Sequence, residues 1–404
     1  MHIVLFGDQH LDSLGGAQVS MRLQRRFLER AGHVVTVVAP RMHAGRGAMD
    51  PAYLDTPSMP ITLDREYSMT WPGVRVDRFL DRAFVSRPPV DLVHVQADFW
   101  GAFIGHRFAH RQGIPVVHTM HNRVDVGLAA VTPLHRPVLA VLNAWRRVAM
   151  RGIGSRVSGS DGWAYLRGIA QESGAVTAPS GHFARRLEQH DVFDAVDVVW
   201  NGIDDELLDS VLLARGERVP GRPRLVWLGR MSPEKRLLPF LQAVVASGID
   251  ADIEVIGGGG QLRAAERLAR GHAGIRFAGR LPYAETLARI AAADAVVQTS
   301  IGFETQGMTP FEAASLGTPT IVSDPDIAAE LRGGQWLVPD ADASEAARVA
   351  ALSETLRAAA SDIASGTAPE PDAEVAAAFR QSSRTAAMIA VYERVLGRDR
   401  PRAG

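Results

Sequence analysis

Short apolar runs alternate along this chain with longer stretches in which apolar residues recur every three to four positions. In the first half the runs fall at residues 2–6, 33–39, 92–96, 114–121 and 196–200, and stretches such as 17–30 and 102–112 carry the helical period. Strand, helix, strand in this rhythm predicts βαβ units and so a parallel sheet. The polar segment 217–223, with proline and glycine, reads as a linker. Beyond it a second set of strands is predicted at 225–228, 253–256, 275–278, 295–299 and 318–323, separated by helices with glycine at their ends. The expected fold class is α/β, with two doubly wound Rossmann-like domains over residues 1–200 and 201–379. The stretch 373–396 reads as one alanine-rich helix whose apolar positions, Phe379, Met388, Val391, Tyr392 and Val395, need a surface to dock on. A further helix is expected at 344–360, a loop at 365–371, and an irregular excursion from the first domain at 41–75.

Composition narrows the classes. With 46% apolar and 22% charged residues the chain is globular and able to bury large cores. Net charge is -1, but the first 200 residues hold 22 Arg against 18 Asp and Glu, and the remainder 22 Lys and Arg against 27. A basic first half suits an anionic surface or substrate. Near-zero net charge and 6% aromatic residues argue against nucleic-acid binding. The absence of cysteine removes disulfides, thiolate zinc sites and cysteine nucleophiles. The N-terminal strand carries no basic leader or cleavage site, and no apolar run approaches the roughly 20 residues of a membrane span, so a cytoplasmic protein is expected.

Of the 44 cationic side chains only Lys235 is lysine, in the run Trp227-Leu-Gly-Arg-Met-Ser-Pro-Glu-Lys235. An ammonium and a guanidinium differ in shape and hydration. Arg230 and Lys235 follow a strand at its carboxyl end, where open α/β sheets bind ligands, so an anion site is one reading. A lone survivor of arginine bias on a solvated helix start is the other. The second constellation is Gly302-Phe-Glu304-Thr-Gln-Gly307-Met-Thr-Pro-Phe-Glu312. Its two glutamates are separated by at most about 12 Å if all helical, a span that suits a diphosphate with a sugar at each end. Backbone N–H groups from Gln306 to Thr309, with the helix dipole, would hold the phosphates. The plainer alternative is a capping box, Thr309-Pro-Phe-Glu312, with proline at the first helical position.

Other features divide between chemistry and structure. His118 and His121, three apart on a predicted strand, should point to opposite faces, one outward and one packed. Asp324-Pro-Asp326 mimics a metal motif but follows a strand as a turn, so it reads as structural and no metal is expected. Gly257-Gly-Gly-Gly260 fits either a phosphate loop or a helix starting close to a strand. The loop from Gly7 to Ala17 is too long for a dinucleotide fingerprint, and the second strand ends in Ala39-Pro40-Arg41 without an acidic residue for an adenosine ribose. Both facts count against an NAD enzyme.

Taken together these motifs resemble glycosyltransferase family 4, the nucleotide-sugar-dependent retaining enzymes of the GT-B fold. Glu304 to Glu312 is similar to the family's donor-site motif, Gly229-Arg230-Met-Ser-Pro-Glu-Lys235 to its diphosphate clamp, and Gly15-Gly16-Ala17 to its N-terminal glycine loop. Further likeness lies in Asp91-Leu-Val-His-Val95, Pro115-Val-Val-His-Thr-Met-His121, Pro179-Ser180, Asn201-Gly-Ile-Asp204 and Gly317-Thr-Pro-Thr-Ile-Val-Ser-Asp324, so the resemblance spans nearly the whole chain. It implies two domains facing a cleft, with a C-terminal helix over about 380–398 crossing back to the first. It also implies catalytic roles for His121, Arg230, Lys235 and Glu304. Donor binding would fall to Gly16, Arg230, Lys235, Glu304, Gln306, Gly307, Met308 and Glu312, and acceptor binding to Gly15 and His121. Arg230 and Lys235 would neutralise the leaving diphosphate, Glu304 would hold the hexose and Glu312 the ribose. The resemblance implies a UDP- or GDP-sugar donor, no cofactor and no metal, and identifies no protein nucleophile.

Glu304-Thr-Gln-Gly307 resembles the variant found in diacylglycerol glucosyltransferases of this family, as do Phe99-Trp-Gly and His118-Thr-Met-His121. Their tyrosine-rich acceptor segment is missing, since Asn122-Arg-Val-Asp125 stands there. A glycolipid or other envelope acceptor is the first choice, and a small soluble acceptor the alternative. The segment 136–151 places Val138, Val141, Leu142, Trp145 and Val148 on one helical face and Arg136, Arg147 and Arg151 opposite, with Arg22, Arg25, Arg26 and Arg30 adding to the basic surface. That pattern fits either a helix on anionic lipid or a core-packed helix with a basic back. The rival classes are a Rossmann oxidoreductase, which lacks its fingerprint, and a non-catalytic sugar-binding protein, which has no need of the Arg230, Lys235 and Glu304 set.

Overall fold

The computed structural model describes residues 1–13, 16–43, 50–154, 157–216, 221–339 and 344–399. The chain divides into two units, residues 1–202 with 384–404, and residues 203–383.

The first unit is built on β1 (His2–Gly7), β2 (Val34–Pro40) and β3 (Tyr53–Thr56), a two-stranded hairpin of β4 (Met59–Pro60) and β5 (Ser68–Met69), then β6 (Leu92–Gln96), β7 (Val116–Thr119), β8 (Ala175–Ala178) and β9 (Val196–Val198). Outside the hairpin, seven parallel strands run in the order β3-β2-β1-β6-β7-β8-β9. Strands buried on both faces tend to read as unbroken apolar runs, as Ile3–Phe6 of β1 does; β6 is buried throughout but includes His94 and Gln96. Helix Trp100–Gln112 lies so close to β1 that a Cβ on Gly101 would stand 2.6 Å from the Gly7 carbonyl oxygen, which requires glycine there.

The second unit contains β10 (Arg224–Arg230), β11 (Asp252–Gly258), β12 (Ile275–Gly279), β13 (Ala295–Gln298), β14 (Thr320–Val322) and β15 (Gln335–Leu337). All are parallel, in the order β12-β11-β10-β13-β14-β15. This is the doubly wound order, which reverses direction between β10 and β13 and so opens a crevice at their carboxyl ends. In the first sheet the same reversal lies between β1 and β6.

Three expectations are corrected. The 41–75 excursion contains β3 and the hairpin, and its Gln9 contact, Ser68 N–H to Oε1 at 2.9 Å, ties it to the loop after β1. The terminal stretch is two helices, Ala373–Ala378 and Gln381–Asp399. The break falls where Arg380 forms a parallel bridge with Ile203: Ile203 N–H donates to the Phe379 carbonyl at 3.0 Å and Gln381 N–H to the Ile203 carbonyl at 2.8 Å. The helix His135–Ala149 buries Leu139, Asn143, Arg146 and Ala149, while Val141 and Val148 are exposed, so its inner face lies one step round from the expected one.

Residues 384–399 of the last helix belong to the first unit, where Met388, Val391, Tyr392 and Val395 join Ile3, Leu5, Val37 and Val117 in one core. The Tyr392 hydroxyl is held by His94 Nδ1 at 2.7 Å and by the Gln24 amide, which donates to it at 3.2 Å.

Candidate active site

In the second unit, one 3₁₀ turn, Pro233–Lys235, follows β10. Arg236 then adopts φ 58°, a left-handed backbone uncommon outside glycine, and helix Leu237–Ser247 begins. The turn is tied across the reversal point. Buried Trp227 donates Nε1–H to Thr299 Oγ1 at 2.9 Å, and the Thr299 hydroxyl donates to the Lys235 carbonyl at 2.7 Å. Lys235 Nζ is bonded to Glu304 Oε1, which also accepts the Ser300 hydroxyl at 2.8 Å. The only lysine and the first glutamate of the motif are therefore an ion pair. Arg230 is different: its side chain is 68% exposed and pairs with Glu234 at 3.2 Å.

The loop carrying Glu304 is fixed by Gly302, whose N–H donates to Asp324 Oδ2 at 2.7 Å. Gly307, at φ 73°, precedes helix Met308–Ser315, and no side chain of that residue can cap it. Gln306 is buried and Met308 is the first helical residue. The capping box is not formed, because the helix starts at Met308, ahead of Thr309, and Glu312 is buried against another helix. There it accepts the Tyr283 hydroxyl at 2.6 Å, from the start of Tyr283–Ala292. Burial pushes the Glu312 carboxyl above the usual range, and the tyrosine bond opposes that rise.

Asp324 caps helix Pro325–Leu331 by accepting the Asp326 N–H at 3.0 Å, which is a structural role. Among the described residues no group of three or more His, Asp or Glu is arranged to hold a metal. Gly257 and Gly259 answer to packing. A Cβ on them would stand 2.0 Å from the Gly229 carbonyl oxygen and 2.6 Å from that of Met231.

In the first unit Gly15 lies outside the described residues. Gly16 opens helix Gly16–Arg30 and is exposed; beyond its chain neighbours and its own helix backbone, no atom of the described residues lies within 4 Å of an added Cβ. His118 is fully buried in β7, between His106 Nε2 at 3.1 Å and the Ala97 carbonyl at 2.9 Å. His121 lies beyond the end of β7, so strand alternation does not govern it. Its Nε2 is buried without a hydrogen-bond partner, and burial lowers its pKa to about 4, leaving a neutral imidazole.

Two aspartates escaped the sequence reading. Asp8 follows β1, and Asp98 follows β6, on the two sides of the first sheet's reversal point. Asp8 accepts N–H groups of Asp98 at 2.8 Å, Phe99 at 3.1 Å and Gly101 at 2.8 Å, capping helix Trp100–Gln112 from a neighbouring strand. Asp98 Oδ2 accepts the His121 N–H at 3.1 Å and the Asn122 amide at 2.6 Å, while its buried Oδ1 has no hydrogen-bond partner. Burial raises Asp98 to about 7 and Asp8 to about 6, the nearby Asp8 adding to the rise of Asp98. An acidic residue just past an apolar strand was the available signal for both.

The architecture and motifs match known proteins along most of the chain. The family model Glycosyltransferase Family 4 matches residues 14–207, and Glycosyl transferases group 1 matches residues 222–356. The chain belongs to glycosyltransferase family 4. It is 24% identical over 343 residues to the alpha-monoglucosyldiacylglycerol synthase of Streptococcus pneumoniae, covering 80% of this chain and 70% of that protein. It is 26% identical over 384 residues to the GDP-mannose-dependent alpha-mannosyltransferase of Mycolicibacterium smegmatis, covering 88% and 89%. Among solved structures, Anabaena Alr3699/HepE in complex with UDP and glucose is similar with a TM-score of 0.63 at 15% identity, covering 98% of this chain and 100% of that one. The two parallel-sheet units are those of a GT-B glycosyltransferase that uses a nucleotide sugar.

Proposed function

We propose that this family 4 member is a retaining, metal-independent hexosyltransferase that moves glucose or mannose from a UDP- or GDP-sugar to a hydroxyl of a glycolipid or envelope glycan precursor. The observation that carries this reading is the Lys235–Glu304 pair at the reversal point of the second sheet. A diphosphate competes with Glu304 for the ammonium, and Glu304 is then released to accept hexose hydroxyls. As the bond from the anomeric carbon to the diphosphate oxygen breaks, negative charge grows on the departing oxygen, and Lys235 with Arg230 stabilises it. The acceptor oxygen bonds to the same face of that carbon, and its proton passes to the leaving phosphate. Glu312 takes the ribose hydroxyls, and backbone N–H groups of Gln306, Gly307 and Met308 approach the phosphates at the start of their helix. Gly16 is assigned to the donor, and Gly15 and neutral His121 to the acceptor.

A lipid acceptor and a contact with the inner, anionic face of a membrane are supported by the helix His135–Ala149, which exposes Val141 and Val148 together with Arg136 and Arg147. Among the described residues no helix is long and apolar enough to cross a membrane. The names of the two curated relatives, one a glucosyldiacylglycerol synthase and one dependent on GDP-mannose, favour the same acceptor and donor classes. The test supplies UDP-glucose or GDP-mannose with phosphatidylglycerol vesicles carrying diacylglycerol and monoglycosyl lipid. An α-linked glycolipid from the α-linked donor is expected. A β-linked product overturns retention, and transfer confined to soluble sugars overturns the lipid acceptor.

A further inference from the structure

Glu312 and Tyr283 lie on different helices, and no sequence motif links them. The Glu312 side chain is buried, a costly place for a carboxylate unless its charge is met by a hydrogen bond. The hydroxyl of Tyr283 supplies one, to Oε1 at 2.6 Å. An ionised carboxylate only accepts, with about four lone-pair positions on two oxygens, whereas a protonated one carries a donor and loses acceptor capacity. A vicinal diol presents two donors and therefore needs the ionised form.

We propose that Tyr283 is the positioning residue for nucleotide ribose: its hydroxyl fixes Oε1 of Glu312 and leaves the remaining acceptor positions of the carboxylate to the 2′- and 3′-hydroxyls. This rests on the reading of Glu312 as the ribose acceptor. The bond from tyrosine favours the charged form against the burial that disfavours it, so the same contact sets both the direction and the charge of the acceptor. A consequence is that Tyr283, acting through Glu312, contributes to the preference for ribonucleotides over 2′-deoxyribonucleotides.

Calorimetric titration of the full chain with UDP and GDP, and with their 2′-deoxy counterparts, at pH 6.5 and 8.5 tests this. The unaltered protein should prefer the ribose form of its nucleotide by roughly 10-fold or more, the usual effect of losing a hydrogen bond to a charged group. Tyr283→Phe, which keeps the ring, should cut that preference to within about 3-fold at pH 6.5 and cut it less at pH 8.5, because the lost bond favours the ionised carboxylate and rising pH favours the same form. Tyr283→Gln, whose amide still donates, should restore part of it at both pH values. A preference unchanged in Tyr283→Phe at both pH values overturns the role of Tyr283 while leaving Glu312 in place. An unaltered protein that binds nucleotide without preferring ribose, or a Glu312→Gln variant that keeps the preference, overturns the reading of Glu312 and this role with it.

Discussion

Lys235 is held at both ends: its carbonyl accepts from Thr299, and its ammonium meets Glu304. A compact ammonium with three donors can exchange a carboxylate for a phosphate oxygen without turning a planar group, which arginine in the same place cannot do. Lys235→Ala should therefore reduce donor turnover roughly 10²-fold or more. Lys235→Arg should recover less than about a tenth of the loss, although the charge is kept. Initial rates with the preferred nucleotide sugar check both, and a fully active arginine variant would contradict the argument from shape. The sequence made this residue legible through its rarity. It did not disclose that Arg230, five positions earlier, is mostly exposed and paired with Glu234. Nor could it disclose Tyr283, because a helix-to-helix contact leaves no spacing to read.

At the scale of elements, the loops after β1 and β6 are joined by Asp8 and Asp98, which tie a helix start and the His121–Asn122 segment to the first sheet. Both carboxyls are raised by burial, Asp8 to about 6 and Asp98 to about 7. The unfolded chain ionises near the ordinary value of about 3.9, so between about pH 4 and 7 the folded state holds protons that the unfolded state has released. Their contribution to stability is full below that window and is lost as the pH rises through it. Asp98→Asn keeps an acceptor for His121 and Asn122 and cannot ionise. Its melting temperature should rise relative to the unaltered protein between pH 5 and 7.5, by roughly 3 °C or more, since 1 kcal/mol moves a domain of this size by about 2–4 °C. A gap independent of pH, followed by differential scanning fluorimetry, would mean that Asp98 is ionised throughout. Elements were legible where their periods were long or their runs unbroken. β8 (Ala-Val-Thr-Ala) and β15 (Gln-Trp-Leu) were missed because they are short and lack a strand-forming pattern. The helix break at Arg380 was missed because its cause is a partner far away in sequence, Ile203.

For the molecule as a whole, alternation of apolar runs and helical stretches was enough to read two parallel-sheet units, since every predicted strand overlaps a strand of one of the sheets. The order of strands is set by which strands pair in three dimensions and is not written in the runs themselves. That order is what brings Lys235, after β10, beside Glu304, after β13. The motif spacing announced the candidate donor residues, while the buried aspartates and the tyrosine needed three-dimensional neighbours to give them meaning.

The most direct test of the central claim, that the second unit binds a nucleotide diphosphate sugar, is calorimetric titration of the purified protein with UDP, GDP and NADH in parallel, without added metal. Binding of UDP or GDP and none of NADH is expected; binding of NADH alone, or of none of the three, would mean that the second unit holds no such site.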